Sequence, residues 1–90
     1  MPRYVIERRI PEIGASPAPA LRSASRTSCD AIRAVGPEIQ WLHSYVVDDQ
    51  TYCVYIAPNE ELIREHARRS GFPADRIAEV KAVIDPTTAE

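Results

Sequence analysis

Two segments rich in Trp, Tyr, Val and Ile, Ile39 to Val47 and Thr51 to Ala57, are separated by no more than Asp48-Asp49-Gln50. Such side chains suit a half-buried pleated surface, and so short a polar break between two such runs reads as a β-hairpin. A helix pattern lies on each side of it. Upstream, Leu21, Ala24, Ser28, Ile32 and Val35 recur at three- and four-residue spacing with Arg22, Arg26 and Arg33 opposite, and Gly36-Pro37 ends the run. The glycine permits a left-handed cap and the proline forbids continuation. Downstream, Asn59 is an N-cap and Glu60 and Glu61 suit the positive end of the helix dipole. Leu62, Ile63, His66, Ala67 and Ser70 then share one face, Arg64, Arg68 and Arg69 cover the rest, and Gly71 with Phe72-Pro73 closes the helix.

The two ends supply the remaining strands. Arg3 to Arg9 alternates Tyr4, Ile6 and Arg8 with Val5, Glu7 and Arg9, and Ile77 to Ile84 alternates Ala78, Val80, Ala82 and Ile84 against Glu79, Lys81 and Val83. Pro11 to Pro19, which holds three of the eight prolines, is a connection and the weakest candidate for tight packing. The order β-α-β-β-α-β with right-handed crossovers gives the α+β ferredoxin-like plait: a four-stranded antiparallel sheet with two helices on one face. Residues 1–85 form a single domain and 86–90 a polar tail.

Composition removes several classes. The chain has 90 residues, enough for one core, and is 44% hydrophobic and 27% charged, which is globular. A net charge of −2 argues against a nucleic-acid or anionic-membrane partner. No apolar run is long enough to span a bilayer. The start MPRYVIERR has no apolar stretch after its basic residue, so a cytoplasmic location is expected, with Cys29 and Cys53 as free thiols.

A plait leaves one sheet face bare. With Asp48 to Gln50 as a three-residue loop, Val47 pairs with Thr51, Tyr45 with Cys53 and His43 with Tyr55. Ile39, Trp41, His43, Tyr45, Val47, Cys53 and Tyr55 then share the bare face, and Leu42, Val46, Tyr52, Val54 and Ile56 lie under the helices with Tyr4, Ile6, Val80, Ala82 and Ile84. Glu7, Arg9, Glu79 and Lys81 join the bare side. An exposed patch of Trp41, Tyr45 and Tyr55 is more than a monomer ordinarily tolerates. Two copies meeting sheet to sheet form a homodimeric α+β barrel whose cavity these aromatics line as ligand contacts.

On this register His43 and Cys53 are diagonal neighbours able to share an ion. Imidazole plus thiolate suits nickel, zinc or copper, and Glu7 or Glu79 adds a carboxylate. No CxxC or HExxH spacing accompanies them, and plain packing in an aromatic interface is the simpler reading. His66, on the apolar face of its helix, reads as a packed histidine or, more sharply, as a further metal ligand. Cys29 reads as small-core packing, and the helix arginines as solvated faces. The aromatics invite comparison with an RNA-recognition sheet, but Thr51 to Ile56 lacks its basic and glycine-rich signature.

The segments Met1 to Arg8, Trp41 to Val46, Tyr52 to Pro58, and Ile63 to Ala67 with Gly71 to Ala74 resemble a family of small bacterial proteins, a domain of unknown function nicknamed nickel-binding ferredoxin-like. The resemblance covers nearly the whole chain and is weakest in Pro11 to Pro19. It implies the ferredoxin-like fold, a dimer and the binding of nickel or another divalent metal, and it implies no known reaction. Three functional readings follow. The first is a cytoplasmic homodimer holding a transition metal or small ligand between its sheets. The second is a dimeric-barrel enzyme, monooxygenase- or isomerase-like, with His43 as acid/base on a small hydrophobic substrate. The third is a structural or regulatory partner-binding module. Fold alone does not choose among them.

Overall fold

The hairpin closes one residue tighter than its sequence suggests, and this together with a bulge in its first strand changes which side chains share a sheet face. In the computed structural model, which describes residues 1–90, β1 (Arg3–Arg9), α1 (Ala18–Val35), β2 (Gln40–Val46), β3 (Gln50–Ile56), α2 (Glu60–Ser70) and β4 (Arg76–Glu79) succeed one another. Short 3-10 turns lie at Ile13–Ala15 and Pro86–Ala89. The sheet order is β2-β3-β1-β4 with every pairing antiparallel, which is the ferredoxin-like plait.

The turn uses only Asp48 and Asp49: the Val47 amide donates to the Gln50 carbonyl at 3.0 Å. Val46 therefore faces Thr51, Ser44 faces Cys53 and His43 faces Val54. Next comes a bulge. Trp41 pairs with Tyr55 and Leu42 has no partner of its own. An extra residue on one strand reverses the in-out phase beyond it. Odd-numbered His43 and Tyr45 thus point to the open side, while odd-numbered Trp41 and Ile39 point to the helices. This corrects the expected register. Cys53 and Tyr55 are 6% and 2% exposed beneath the helices, and Tyr52, Val54 and Ile56 occupy the bare face instead.

The opposite edge is corrected likewise. Strand β4 stops at Glu79, and its register against β1 puts Ile77 beside Ile6 on the helix side and Ala78 beside Val5 on the open side. Val83 and Ile84 lie beyond the sheet, exposed. Helix α1 starts at Ala18, so Pro19 stands in its first turn, where a missing amide costs nothing. Gly36 has φ 128° and ψ 178°, outside the left-handed helical region expected of it, in a conformation essentially reserved for glycine. Asn59 and Gly71 do as expected: the Asn59 side chain accepts from the Leu62 amide at 3.1 Å, and Gly71 is left-handed with φ 79°. The outer faces of the helices are solvated, with Arg64 on Glu60 and Arg68 and Arg69 on Glu65.

The core forms where the helices meet the sheet: Tyr4, Ile6, Ile39, Cys53, Tyr55, Ala57 and Ile63, flanked by Ile32, Val35, Trp41 and Ile77. The β1–α1 connection, expected to be loose, is pinned to the hairpin turn. Ile10 and Gly14 donate from their backbones to Asp49 and Asp48 carbonyls at 3.0 and 2.8 Å, and the Glu12 amide donates to the Asp49 carboxylate at 2.8 Å. A Cβ on Gly14 would sit 2.5 Å from the Val47 carbonyl oxygen, so only glycine permits this approach. No helix is long and apolar enough to cross a membrane.

Candidate functional site

Two polar residues fall in phase with apolar faces, and the fold brings them together. Arg8 follows Tyr4 and Ile6 on the helix side of β1, and Ser28 lies in the apolar stripe of α1. Both are buried, at 2% and 5% exposure. They border a cavity of about 290 Å³ between the N-terminal half of α1 and the β2–β3 end of the sheet. Arg8, Ser28, Thr51, Cys53 and Tyr55 are its buried polar and sulfur-bearing lining; Ile10, Ile13, Leu21, Trp41 and Phe72 are its apolar walls, and exposed Val46 marks its rim. That volume is at the lower end of the roughly 300–1,000 Å³ usual for small-molecule sites.

A hydrogen-bonded group fixes the polar side. The Arg8 guanidinium donates to the Pro73 carbonyl at 2.7 Å and to the Tyr55 hydroxyl at 3.4 Å, with its carbon 6.0 Å from the Tyr55 ring centre. His66 comes from α2 behind Ser28: its Nε2 is 3.2 Å from both the hydroxyl and the carbonyl oxygen of Ser28. The carbonyl only accepts, so a proton on Nε2 satisfies it and leaves Nδ1 as a buried nitrogen without a partner. Burial, and secondarily the Arg8 charge, lower the His66 pKa and hold the ring neutral. Burial raises the Tyr55 pKa, against the pull of the Arg8 charge, so the phenol stays protonated.

The expected site residues are divided between the two faces. Trp41, Cys53 and Tyr55 line the cavity; His66 stands behind it. His43 and Tyr45 lie on the open face, their rings edge to face at 5.0 Å. Glu7 is also on that face, half-buried, near Arg76 at 3.6 Å and the Gln50 amide at 3.4 Å. The sheet therefore separates His43 from Cys53, and within one chain the two do not share an ion. For the same reason His43 does not reach a ligand in the cavity. Nowhere do three or more His, Cys, Asp or Glu side chains gather as a metal site. Both cysteines are free thiols.

Arg8, Ser28, Thr51 and Phe72 were not among the expected site residues. The signal for the first two was present in the sequence, since an arginine and a serine each occupied an apolar phase. Thr51 and Phe72 carried none, because only the register and the loop after α2 bring them to the cavity.

The architecture and the cavity together define a ferredoxin-like protein with a ligand-sized space between helix and sheet. The family model for nickel responsive proteins of the SCO4226-like type matches residues 4–80, and the chain belongs to that family. Among solved structures it is similar to SCO4226 from Streptomyces coelicolor A3(2), with a TM-score of 0.76 and 18% identity over 91% of this chain and 99% of that one. At that identity the likeness shows the fold. No curated protein matches in sequence.

Proposed function

We propose that the protein is a metal-handling homodimer whose two copies meet through their open sheet faces, with His43 from each copy supplying imidazole to nickel or to another divalent transition metal such as zinc or copper. The observation that carries this reading is the position of His43, exposed on the bare face beside the exposed side chains of Tyr45 and Tyr52. Membership in a nickel responsive family supports the choice of metal. Imidazole is a good ligand for nickel, zinc and copper.

One chain alone does not fit a closed metal site, since it gathers no set of three donors. A two-fold pairing remedies this: it sets the same patch against itself and brings a second imidazole and a second Glu7 carboxylate to the common space. It also covers apolar surface that a monomer would leave in water.

Sedimentation and nickel titration test the proposal. The wild type is expected to be a dimer at micromolar concentration, and Tyr45→Glu to split it by burying an unpaired carboxylate. His43→Ala is expected to weaken nickel binding by more than about tenfold, as removal of a direct ligand should exceed the 10- to 100-fold typical of outer-shell losses. A wild type that stays monomeric with nickel present, or equal nickel affinities for the two chains, overturns it.

A further inference from the structure

One charge inside this protein has no counter-charge. Arg8 is 2% exposed, and a guanidinium stays protonated at any ordinary pH. Both its hydrogen bonds go to neutral oxygens, those of Pro73 and Tyr55, and every ion pair in the protein is made by other residues. A guanidinium carries five N–H donors, so most of its donor capacity is unspent. An unpaired buried ion is among the largest penalties a fold can carry. This one borders a cavity. A second observation points the same way: Ser28, on the cavity wall, is held by His66, a wholly buried ring whose other nitrogen has no partner.

We propose that the cavity binds a small monocarboxylate with an apolar body, an aromatic or short branched-chain acid. Its carboxylate takes the free N–H groups of Arg8 and the hydroxyls of Tyr55 and Ser28, and its hydrocarbon part rests on Ile13, Leu21 and Trp41. A carboxylate matches the planar fork of a guanidinium and satisfies several donors at once. A single negative charge matches the single cation, for the other arginines of β1, Arg3 and Arg9, are exposed. The predominantly apolar wall rejects an inorganic anion, which would leave it wet. The site is separate from the proposed metal site, because the sheet lies between them, and the two proposals fail independently.

Trp41 lines the cavity and is the chain's one tryptophan, so its fluorescence reports occupancy without a label. The probes are benzoate, isovalerate, the neutral isostere benzamide and inorganic phosphate, titrated into the full chain. Benzoate or isovalerate should give a saturable change with a Kd of about 1 mM or tighter. Benzamide should bind about ten- to a hundredfold more weakly, the loss expected when a charged hydrogen-bond partner is removed. Phosphate should not compete. Arg8→Gln should lose the benzoate response while its circular dichroism stays native; should that variant not fold, the wild-type contrast between benzoate and benzamide and a blocking substitution at the exposed rim, Val46→Phe, carry the test. No saturable response to either acid up to about 10 mM, equal binding of benzamide, competition by phosphate, or full affinity in a folded Arg8→Gln chain overturns the proposal.

Discussion

The two sides of the sheet are made by the same strands, yet they solve different problems. The side under the helices is close-packed around Ile6 and Ile63, both fully buried, and it encloses polar groups that hydrogen-bond chiefly to one another: Arg8, Tyr55, Ser28 and His66. The open side holds large side chains too, Tyr45 and Tyr52, but leaves them in solvent at 60% and 37% exposure. The first surface is packed by its own chain except at the cavity beside Arg8, while the second is left to solvent. Stability should therefore reside chiefly on the helix side, and substitutions can separate the two faces.

The largest contrast is expected from truncating one side chain on each face. Ile6→Ala removes a fully buried branched residue and should cost about 2–5 kcal/mol. Tyr45→Ala, on the open face, should change the stability of the monomer by no more than about 0.5 kcal/mol. Urea unfolding of dilute protein checks both, and equal losses would dissolve the contrast between the faces. Next comes the clamp between the β1–α1 connection and the hairpin. Gly14→Ala places a methyl group against backbone that cannot give way, and should cost about 1–3 kcal/mol as overpacking. Amide exchange should quicken at Ile10 and Gly14, the donors of the clamp, and unchanged exchange there would show that the connection adapts.

The smallest effect is a dependence on pH. Burial lowers the His66 pKa in the folded chain, so below about pH 6.5 the unfolded chain takes up a proton that the folded one resists. Its contribution to stability is complete above that pH and is lost as pH falls, by at most about 1.4 kcal/mol per unit until the folded ring also protonates. His66→Gln should flatten this acid limb in thermal melts at pH 7 and pH 5. An unchanged slope would assign it to carboxylates instead.

The element order, both helices, the Asn59 and Gly71 caps and the outward-facing arginines were legible because each rests on local spacing or on one residue's backbone preference. The faces of the hairpin were not. Odd- and even-numbered residues of β2 and β3 are both apolar, so alternation did not name the inner set; the shorter turn, the bulge at Leu42 and the pairing of β3 with β1 set it. Tyr45 and Tyr52 belong to the outside by register alone, just as Trp41 and Tyr55 belong inside. The cavity was half legible. Arg8 in line with Tyr4 and Ile6 announced a buried cation, but its neighbours come from four separate elements whose distances no local pattern encodes. The tightness of the Pro11 to Pro19 connection was hidden too, since it depends on Gly14 meeting a turn far along the chain.

The unpaired Leu42 has a consequence for how the chain can change length. With that residue deleted, the ladder from Val46–Thr51 to His43–Val54 would continue without interruption to Trp41–Tyr55, every side chain keeping its side. Strand β2 thus carries one spare letter at a position where losing it leaves the message in frame. A deletion at Ser44 has no such freedom, because it would turn His43 inward against Cys53 unless the bulge moved to absorb it. Single-residue deletions among related chains should accordingly gather at Leu42, where the loss keeps the pairing of both flanks.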